Sequence, residues 1–378
     1  MLDRVKLAII GCGGMAQSHL RGLEILKNAK IDVIRLEAVC DLAEDRAKSA
    51  AAYANEKLGF KPEVYTNFEP MIEEAALDAV DIVVDHRAHH KITIPCLAAG
   101  LHVLVEKPLA ITVKAGWTTI EAAKKSGRIL AVAENYRRAP ENRAVKFGIN
   151  EGVIGAPYLI FHGWGGVSKA IFCETPWRHM KLEVGGGPML DSGVHDADLF
   201  RYWLGPVKRV FAITKMFEKE RSGKAGTIKP TADDTGLVVL EFESGVIGQW
   251  AVSWALHGEG FGQTYIYGSE GSLKNYELVR NGGDVKLSKA DFVKKYAPAE
   301  MFPNGVMDSV ALELLDFANA MLHGTKVEVD GMEGLTDEAT CYAVYESATL
   351  GKPVMVKDVF EGKVESYQRA INEAINLL

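Results

Sequence analysis

Asp191 and His195 close the run Gly185-Gly186-Gly187-Pro188-Met189-Leu190-Asp191-Ser192-Gly193-Val194-His195, and no other pair in the chain is better suited by type and spacing to move a proton. On a helix, four residues of separation put both side chains on one face, about 5–6 Å apart at Cβ. A carboxylate beside an imidazole holds the ring in one tautomer near neutral pH, as a general acid–base histidine requires. The same pair could serve only as a buried helix cap, and spacing alone does not separate the two readings. The three glycines exclude a stable helix or strand and let the backbone pass close to a ligand.

A second set of residues can bind a dinucleotide. Gly11-Cys12-Gly13-Gly14-Met15-Ala16 has G-x-G-x-x-A spacing and lies between an apolar run, Val5–Ile10, and a helical pattern. Gly11 permits the tight turn, Gly13 lets the backbone approach a pyrophosphate, and Ala16 allows close helix–strand packing, with the helix amino terminus facing the phosphates. Asp41 follows the next apolar run, Ile34–Cys40. There an acidic residue binds both hydroxyls of an adenosine ribose and repels a 2′-phosphate, so NAD is expected over NADP. The interval from the glycines exceeds the usual spacing of about 20 residues, and segment 28–33 accounts for the excess. The alternative is Asp41 as N-cap of a helix opening at Leu42. Glu106-Lys107-Pro108 follows a further strand, His102–Val105. Ligands of a doubly wound sheet sit outside the carboxyl ends of its strands, which puts Glu106 and Lys107 with the cofactor-binding set. A plain surface lysine is the competing reading.

These residues need elements to hold them. Over the first 134 residues, apolar runs (Val5–Ile10, Ile34–Cys40, Ala79–Val84, His102–Val105, Ile129–Val132) alternate with helical patterns (Ala16–Lys27, Leu42–Lys57, Asn67–Ala75, Lys91–Ala99, Val113–Ser126). Such alternation predicts an α/β Rossmann domain, a doubly wound parallel sheet covered on both faces. From 135 to 378, β-type runs dominate: Tyr158–Trp164, Val207–Phe217, Thr235–Phe242, Val246–Trp254 and Thr264–Tyr267, with a hairpin turn at Phe242–Val246. Helical patterns return at Asp308–Leu322 and Thr336–Leu350. A second α/β domain on a largely antiparallel open sheet is expected, its C-terminal helices packing back on the first.

The 378 residues suit two domains of ordinary size. A net charge of −7 argues against non-specific nucleic-acid binding and against attraction to anionic membranes. No apolar run reaches the length of a membrane span, and a strand pattern begins at Arg4 without a signal peptide. The five cysteines are scattered, with no C-x-x-C pair, so neither a disulfide framework nor a metal site is indicated and a cytoplasmic location is expected.

Taken jointly, Gly11/Gly13/Ala16, Glu106-Lys107-Pro108 and Gly185–His195 resemble the Gfo/Idh/MocA family of oxidoreductases. Trp177-Arg178, Asp198–Gly205 and Gly268–Leu273 echo it further. The resemblance spans nearly the whole chain. It implies an NAD-binding Rossmann domain, a second domain whose open sheet forms a homodimer or homotetramer interface, and Lys107, Asp191 and His195 as the catalytic lysine, aspartate and histidine. One departure is plain. Relatives usually read Thr-Pro-Asn-x-x-His where this chain has Asp85-His86-Arg87-Ala88-His89-His90. His90 matches the family histidine, His86 stands at the proline, and His89 reads as structural. His86 and His90 join the cofactor-binding set. Tyr136, Arg137, His162, Trp164, Trp177, Arg178 and His179 are candidate substrate ligands beside Asp191 and His195. Aromatic faces suit sugar rings, while arginine and histidine suit hydroxyls or an anionic group. The expected function is NAD-dependent oxidation or reduction of a sugar, glycoside or cyclitol hydroxyl. A glycosidase that oxidises its sugar transiently and re-reduces the product is the alternative.

Overall fold

The computed structural model describes residues 3–167, 175–223 and 226–377, which form two compact units. Cys173, one of the scattered cysteines, lies outside them. The units do not follow a single cut at 134/135. The first runs to Ala110 and takes in Ala115–Ala139 and Phe302–Gly334; the second holds Ile111–Lys114, Pro140–Met301 and the chain from Leu335.

The first unit is a six-stranded parallel sheet in the order β3-β2-β1-β4-β5-β6. Its strands are β1 (Val5–Ile10), β2 (Ile34–Cys40), β3 (Glu63–Tyr65), β4 (Ala79–Ile82), β5 (His102–Glu106) and β6 (Leu130–Ala133). Order and parallel pairing are those of a doubly wound dinucleotide fold, reversing between β1 and β4. The central strands β1, β4 and β5 are almost wholly buried, as continuous apolar runs require. β3 escapes sequence reading because it has only three residues, two of them exposed at the sheet edge. The helices α1 (Gly14–Asn28), α2 (Glu44–Tyr53), α3 (Phe68–Glu74), α4 (His86–Ala98) and α5 (Val113–Ser126) follow the expected alternation. The helix Ser309–His323 also belongs to this unit and packs on α1. Gly22 makes that approach close, since a Cβ there would stand 3.0 Å from Leu314.

The second unit is built on a nine-stranded mixed sheet, ordered β16-β15-β14-β13-β7-β12-β11-β8-β17. Its strands are β7 (Pro157–Gly165), β8 (Val207–Lys215), β11 (Thr235–Phe242), β12 (Ile247–Ser253), β13 (Phe261–Gly268), β14 (Gly271–Lys274), β15 (Glu277–Arg280), β16 (Lys286–Leu287) and β17 (Val354–Met355). Only the pairing of β7 with β12 is parallel among these neighbours. A separate hairpin joins β9 (Arg221–Gly223) to β10 (Gly226–Ile228). Period-two alternation sets the faces. Gly236, Val238, Leu240 and Phe242 of β11 point inward, while Leu237 and Val239 point outward. On the inner face, Phe200 of the helix Gly193–Leu204 meets Trp250, Phe242 and His162 edge-on, with ring centroids 5.1–6.3 Å apart. Each such contact adds about 0.5–1.5 kcal/mol to area burial, so this cluster fixes the helix that carries His195. No helix among the described residues is long and apolar enough to cross a membrane.

Candidate active site

The cofactor loop is shaped by what lies beneath it. Gly11 adopts φ +92°, and a Cβ there would sit 2.1 Å from the Val83 carbonyl oxygen. On the other side of the loop, a Cβ on Gly13 or Gly14 would meet no heavy atom within 4 Å. Helix α1 opens here with no acidic residue in its first turn and no side chain capping its amides. An open backbone at the positive end of a 15-residue helix fits an anionic diphosphate. Ala16 is fully buried, and Met15 is partly exposed at the rim. Cys12 contributes its backbone. Burial, followed by the nearby Asp41 carboxylate, pushes its thiol up to about 12, so it remains protonated.

Asp41 is not a plain N-cap. Helix α2 begins at Glu44 with Ala43 as its capping residue. The Cys12 N–H donates to Asp41 Oδ2 and the Ala43 N–H to Oδ1, both at 2.8 Å. The carboxylate is thereby fixed at the edge of the open loop, where its remaining lone pairs suit a ribose diol. Leu42 beside it is 92% exposed, an apolar surface that sequence reading passed over. Together these residues fit a dinucleotide lacking a 2′-phosphate.

Helix α4 starts at His86, five residues earlier than expected, so Asp85–His90 is its first turn rather than a charged loop. Asp85 is its N-cap, and His86 and His90 are buried. Burial, then Lys91, lowers His90 to about 4, which leaves a neutral ring at physiological pH. His89 is fully buried with Nδ1 2.7 Å from the Pro108 carbonyl oxygen and Nε2 3.2 Å from that of Val84. It ties α4 to the turn after Lys107, the structural part expected of it. Lys107 itself is half-buried, and its N–H donates to Glu106 Oε2 at 3.0 Å.

After β6, Tyr136 faces outward and Arg137 does not. The guanidinium is buried, with Nη1 3.3 Å from the Glu328 carbonyl and 3.5 Å from Glu333 Oε2. Its charge is engaged with Glu328 and Glu333 inside the first unit.

In the second unit the Gly185–Gly187 run is held in close internal packing. A Cβ on Gly185, at φ +90°, would lie 2.5 Å from Tyr342 Oη. One on Gly186 would lie 2.6 Å from the Tyr345 ring, and one on Gly187 would lie 2.2 Å from the Asp233 carbonyl oxygen. Asp233 Oδ1 also accepts the Gly187 N–H at 2.9 Å. This seats the short helix Pro188–Asp191 against Asp233, a residue that sequence analysis missed. Asp191 ends that helix, and His195 lies in the first turn of the next. Ser192 joins them in a near-helical conformation, with the His195 N–H bonded to its carbonyl at 3.2 Å. The two residues therefore lie on a kinked helical path rather than on one regular helix. Asp191 is buried and its Oδ2 accepts from Arg178 Nη1 at 3.3 Å; Arg178 in turn lies over the Trp177 ring.

The neighbouring Asp196 is committed elsewhere. Its carboxylate accepts from Trp250 Nε1 at 2.8 Å and Trp164 Nε1 at 3.0 Å, and its Oδ1 stands 3.0 Å from His162 Nε2. His162 Nδ1 is 3.0 Å from Thr264 Oγ1. His162 and Trp164 were expected as substrate ligands; here a ring nitrogen of each lies against the Asp196 carboxylate. The period of β7 is the reason, because it turns 160, 162 and 164 toward the same helix. His179 is fully buried, with Nδ1 facing Arg221, which is itself ion-paired to Asp234 at 3.2 Å. It belongs to the core of this unit. Among the described residues, no group of three or more His, Cys, Asp or Glu side chains is arranged to hold a metal ion.

Residues 5–134 match the model of an oxidoreductase family with an NAD-binding Rossmann fold, and residues 142–274 match a GFO/IDH/MocA C-terminal domain. Similar curated proteins include 1,5-anhydro-D-fructose reductase of Ensifer adhaerens, 30% identical over 84% of this chain and 91% of its own. Myo-inositol 2-dehydrogenase of Thermotoga maritima is 28% identical over 94% of this chain and 99% of its own. Among solved structures, levoglucosan dehydrogenase in complex with NADH has a TM-score of 0.78 at 23% identity, covering 93% of this chain and 99% of that one. The chain belongs to the Gfo/Idh/MocA family of oxidoreductases, and its first unit is an NAD-binding Rossmann domain.

Proposed function

We propose that this protein transfers hydride between NAD and a secondary hydroxyl carbon of a sugar or cyclitol, with Lys107, Asp191 and His195 as its working groups. The observation that carries this reading is the open, acid-free start of α1 with Asp41 fixed beside it, in a chain whose relatives are named for sugar and inositol redox chemistry. Bound NAD supplies the hydride acceptor. In oxidation, His195 takes the hydroxyl proton as the carbon–hydrogen bond breaks, and in reduction it returns that proton. Asp191 orients the imidazole and stabilises its charged form, while Arg178 holds Asp191. Lys107 donates a hydrogen bond to the developing alkoxide. Trp177 and Tyr136 remain as stacking surfaces for a ring.

Relatives matched along most of this chain include a reductase and several dehydrogenases, which favours net redox chemistry over the redox-neutral glycosidase. A panel of sugars, glycosides and cyclitols incubated with NAD tests the proposal, with NADH absorbance and product mass followed together. Stoichiometric NADH with an oxidised product is expected. Aglycone release without NADH would overturn it.

The same reading includes a homodimer. Phe211, Ile213, Leu237, Val239 and Ile247 are each 40–59% exposed, and strand register sets them side by side on the outer sheet face. A continuous apolar sheet face of this kind suits a self-complementary two-fold interface.

A further inference from the structure

A buried ionic cluster lies behind the Lys107 turn, entirely within the first unit. His19 on α1 is fully buried, with Nδ1 2.7 Å from Asp81 Oδ2 on β4 and Nε2 3.2 Å from Glu106 Oε1 at the end of β5. Glu313, on the helix Ser309–His323, brings Oε1 to 3.9 Å from the same Nε2. Arg138, held by Asp316, acts on Glu313. Each ring nitrogen of His19 faces a carboxylate oxygen, so both must donate and the ring is an imidazolium. Burial alone would discharge it. The charge and hydrogen bond of Asp81, then Glu106 and Glu313, outweigh burial and hold the ring well above the ordinary histidine range. Burial likewise holds the Glu313 carboxyl well above its ordinary range, against the pull of His19 and Arg138. The cluster thus sets one imidazolium against the Asp81 and Glu106 carboxyls, with burial biasing Glu313 toward its neutral form.

Buried ion clusters are a poor way to gain stability, because apolar residues of similar volume fill such a site without the desolvation cost. This one instead touches the site. Glu106 uses Oε1 on His19 and Oε2 on the Lys107 N–H, so one carboxylate links the imidazolium to the lysine's backbone. We propose that His19 is a positioning residue whose imidazolium, anchored on Asp81, clamps Glu106 and thereby sets the Lys107 turn. This inference rests on the reading of Lys107 as the group that meets the alkoxide.

Its test uses the NAD-loaded enzyme. In the native protein, ¹⁵N-histidine NMR should show both His19 nitrogens protonated at pH 8; a neutral ring would overturn the clamp. His19→Gln removes the cation. Glu106→Gln keeps the shape but satisfies only one of the two contacts. In each variant, acetylation of Lys107 by acetic anhydride, read by peptide mass spectrometry against exposed Lys48, should change by about threefold, equivalent to half a pH unit in its profile. In His19→Gln, NAD affinity should stay within about twofold while turnover falls tenfold or more, the signature of an interaction used in the transition state. If His19→Gln does not fold, Glu106→Gln and the native spectrum still decide. An unchanged Lys107 profile in a folded variant would refute the inference. Full turnover in Lys107→Met would instead remove the catalytic role of the lysine while leaving the clamp intact.

Discussion

Asp41→Ala probes cofactor choice at the residue that ties the glycine loop to the end of β2. The substitution deletes two acceptors, Oδ2 for the Cys12 N–H and Oδ1 for the Ala43 N–H, both at 2.8 Å. The Cys12 amide is buried, and leaving it without this partner costs about 1–3 kcal/mol of stability. That loss loosens the loop for NAD and NADP alike, so the discriminating quantity is their ratio. A 2′-hydroxyl bonded to a carboxylate contributes about 1.5 kcal/mol at the low end. Repulsion between that carboxylate and a 2′-phosphate about 4 Å away costs about 1 kcal/mol more in a watery setting. Together these give about 2.5 kcal/mol, so the NADP:NAD affinity ratio should rise roughly 70-fold. Fluorescence titrations with NADH and NADPH measure it, and a thermal scan separates loop damage from global unfolding. A folded variant whose ratio moves less than about threefold would refute the assignment of Asp41 to the ribose.

Other predictions follow from the second unit. Burial chiefly pushes the Asp233 carboxyl up to about 7 from its ordinary 3.8, so the native state holds this proton more tightly than the unfolded chain does. The stability it contributes is therefore present below about pH 4 and is lost as pH rises through about 7. Asp233→Asn keeps an acceptor for the Gly187 N–H without the charge; its Tm should fall less than native between pH 5 and pH 8, and parallel profiles would contradict the account. Leu237→Glu with Val239→Glu places two charges on the exposed apolar sheet face, where burial of unpaired charge in an interface costs several kcal/mol. Light scattering should then give the 41.2 kDa monomer from a native dimer, and an unchanged mass would refute the interface.

Much of the fold is legible in the sequence because its strands are strongly patterned. The runs Val5–Ile10, Ile34–Cys40 and Thr235–Phe242 agree with the strand bounds residue for residue. The start of α4 was not legible, since Asp85-His86-Arg87 reads as polar until Asp85 is seen as its N-cap. The glycine loop was legible because G-x-G-x-x-A carries its own geometric reason. Substrate ligands were harder, because a histidine or arginine has the same type whether it faces a crevice or a carboxylate in its own core. His162 and Trp164 meet Asp196, His179 meets Arg221 and Arg137 meets Glu333, each within its own unit, and these partners lie 32 to 196 positions away in the chain. His19 had one available signal. It falls three residues after Ala16 and one before Leu20, inside the buried stripe of α1, where a polar residue needs buried partners.

The central claim is that His195 moves the substrate proton in an NAD-dependent hydride transfer. Its most direct measurement is pre-steady-state NADH formation by native protein and His195→Ala, with NAD affinity determined in parallel. Removing a general acid–base group costs about 10²–10⁴-fold in rate, so the variant should lose at least two decades of the NADH burst while binding NAD normally. A variant with a near-native burst would contradict the account.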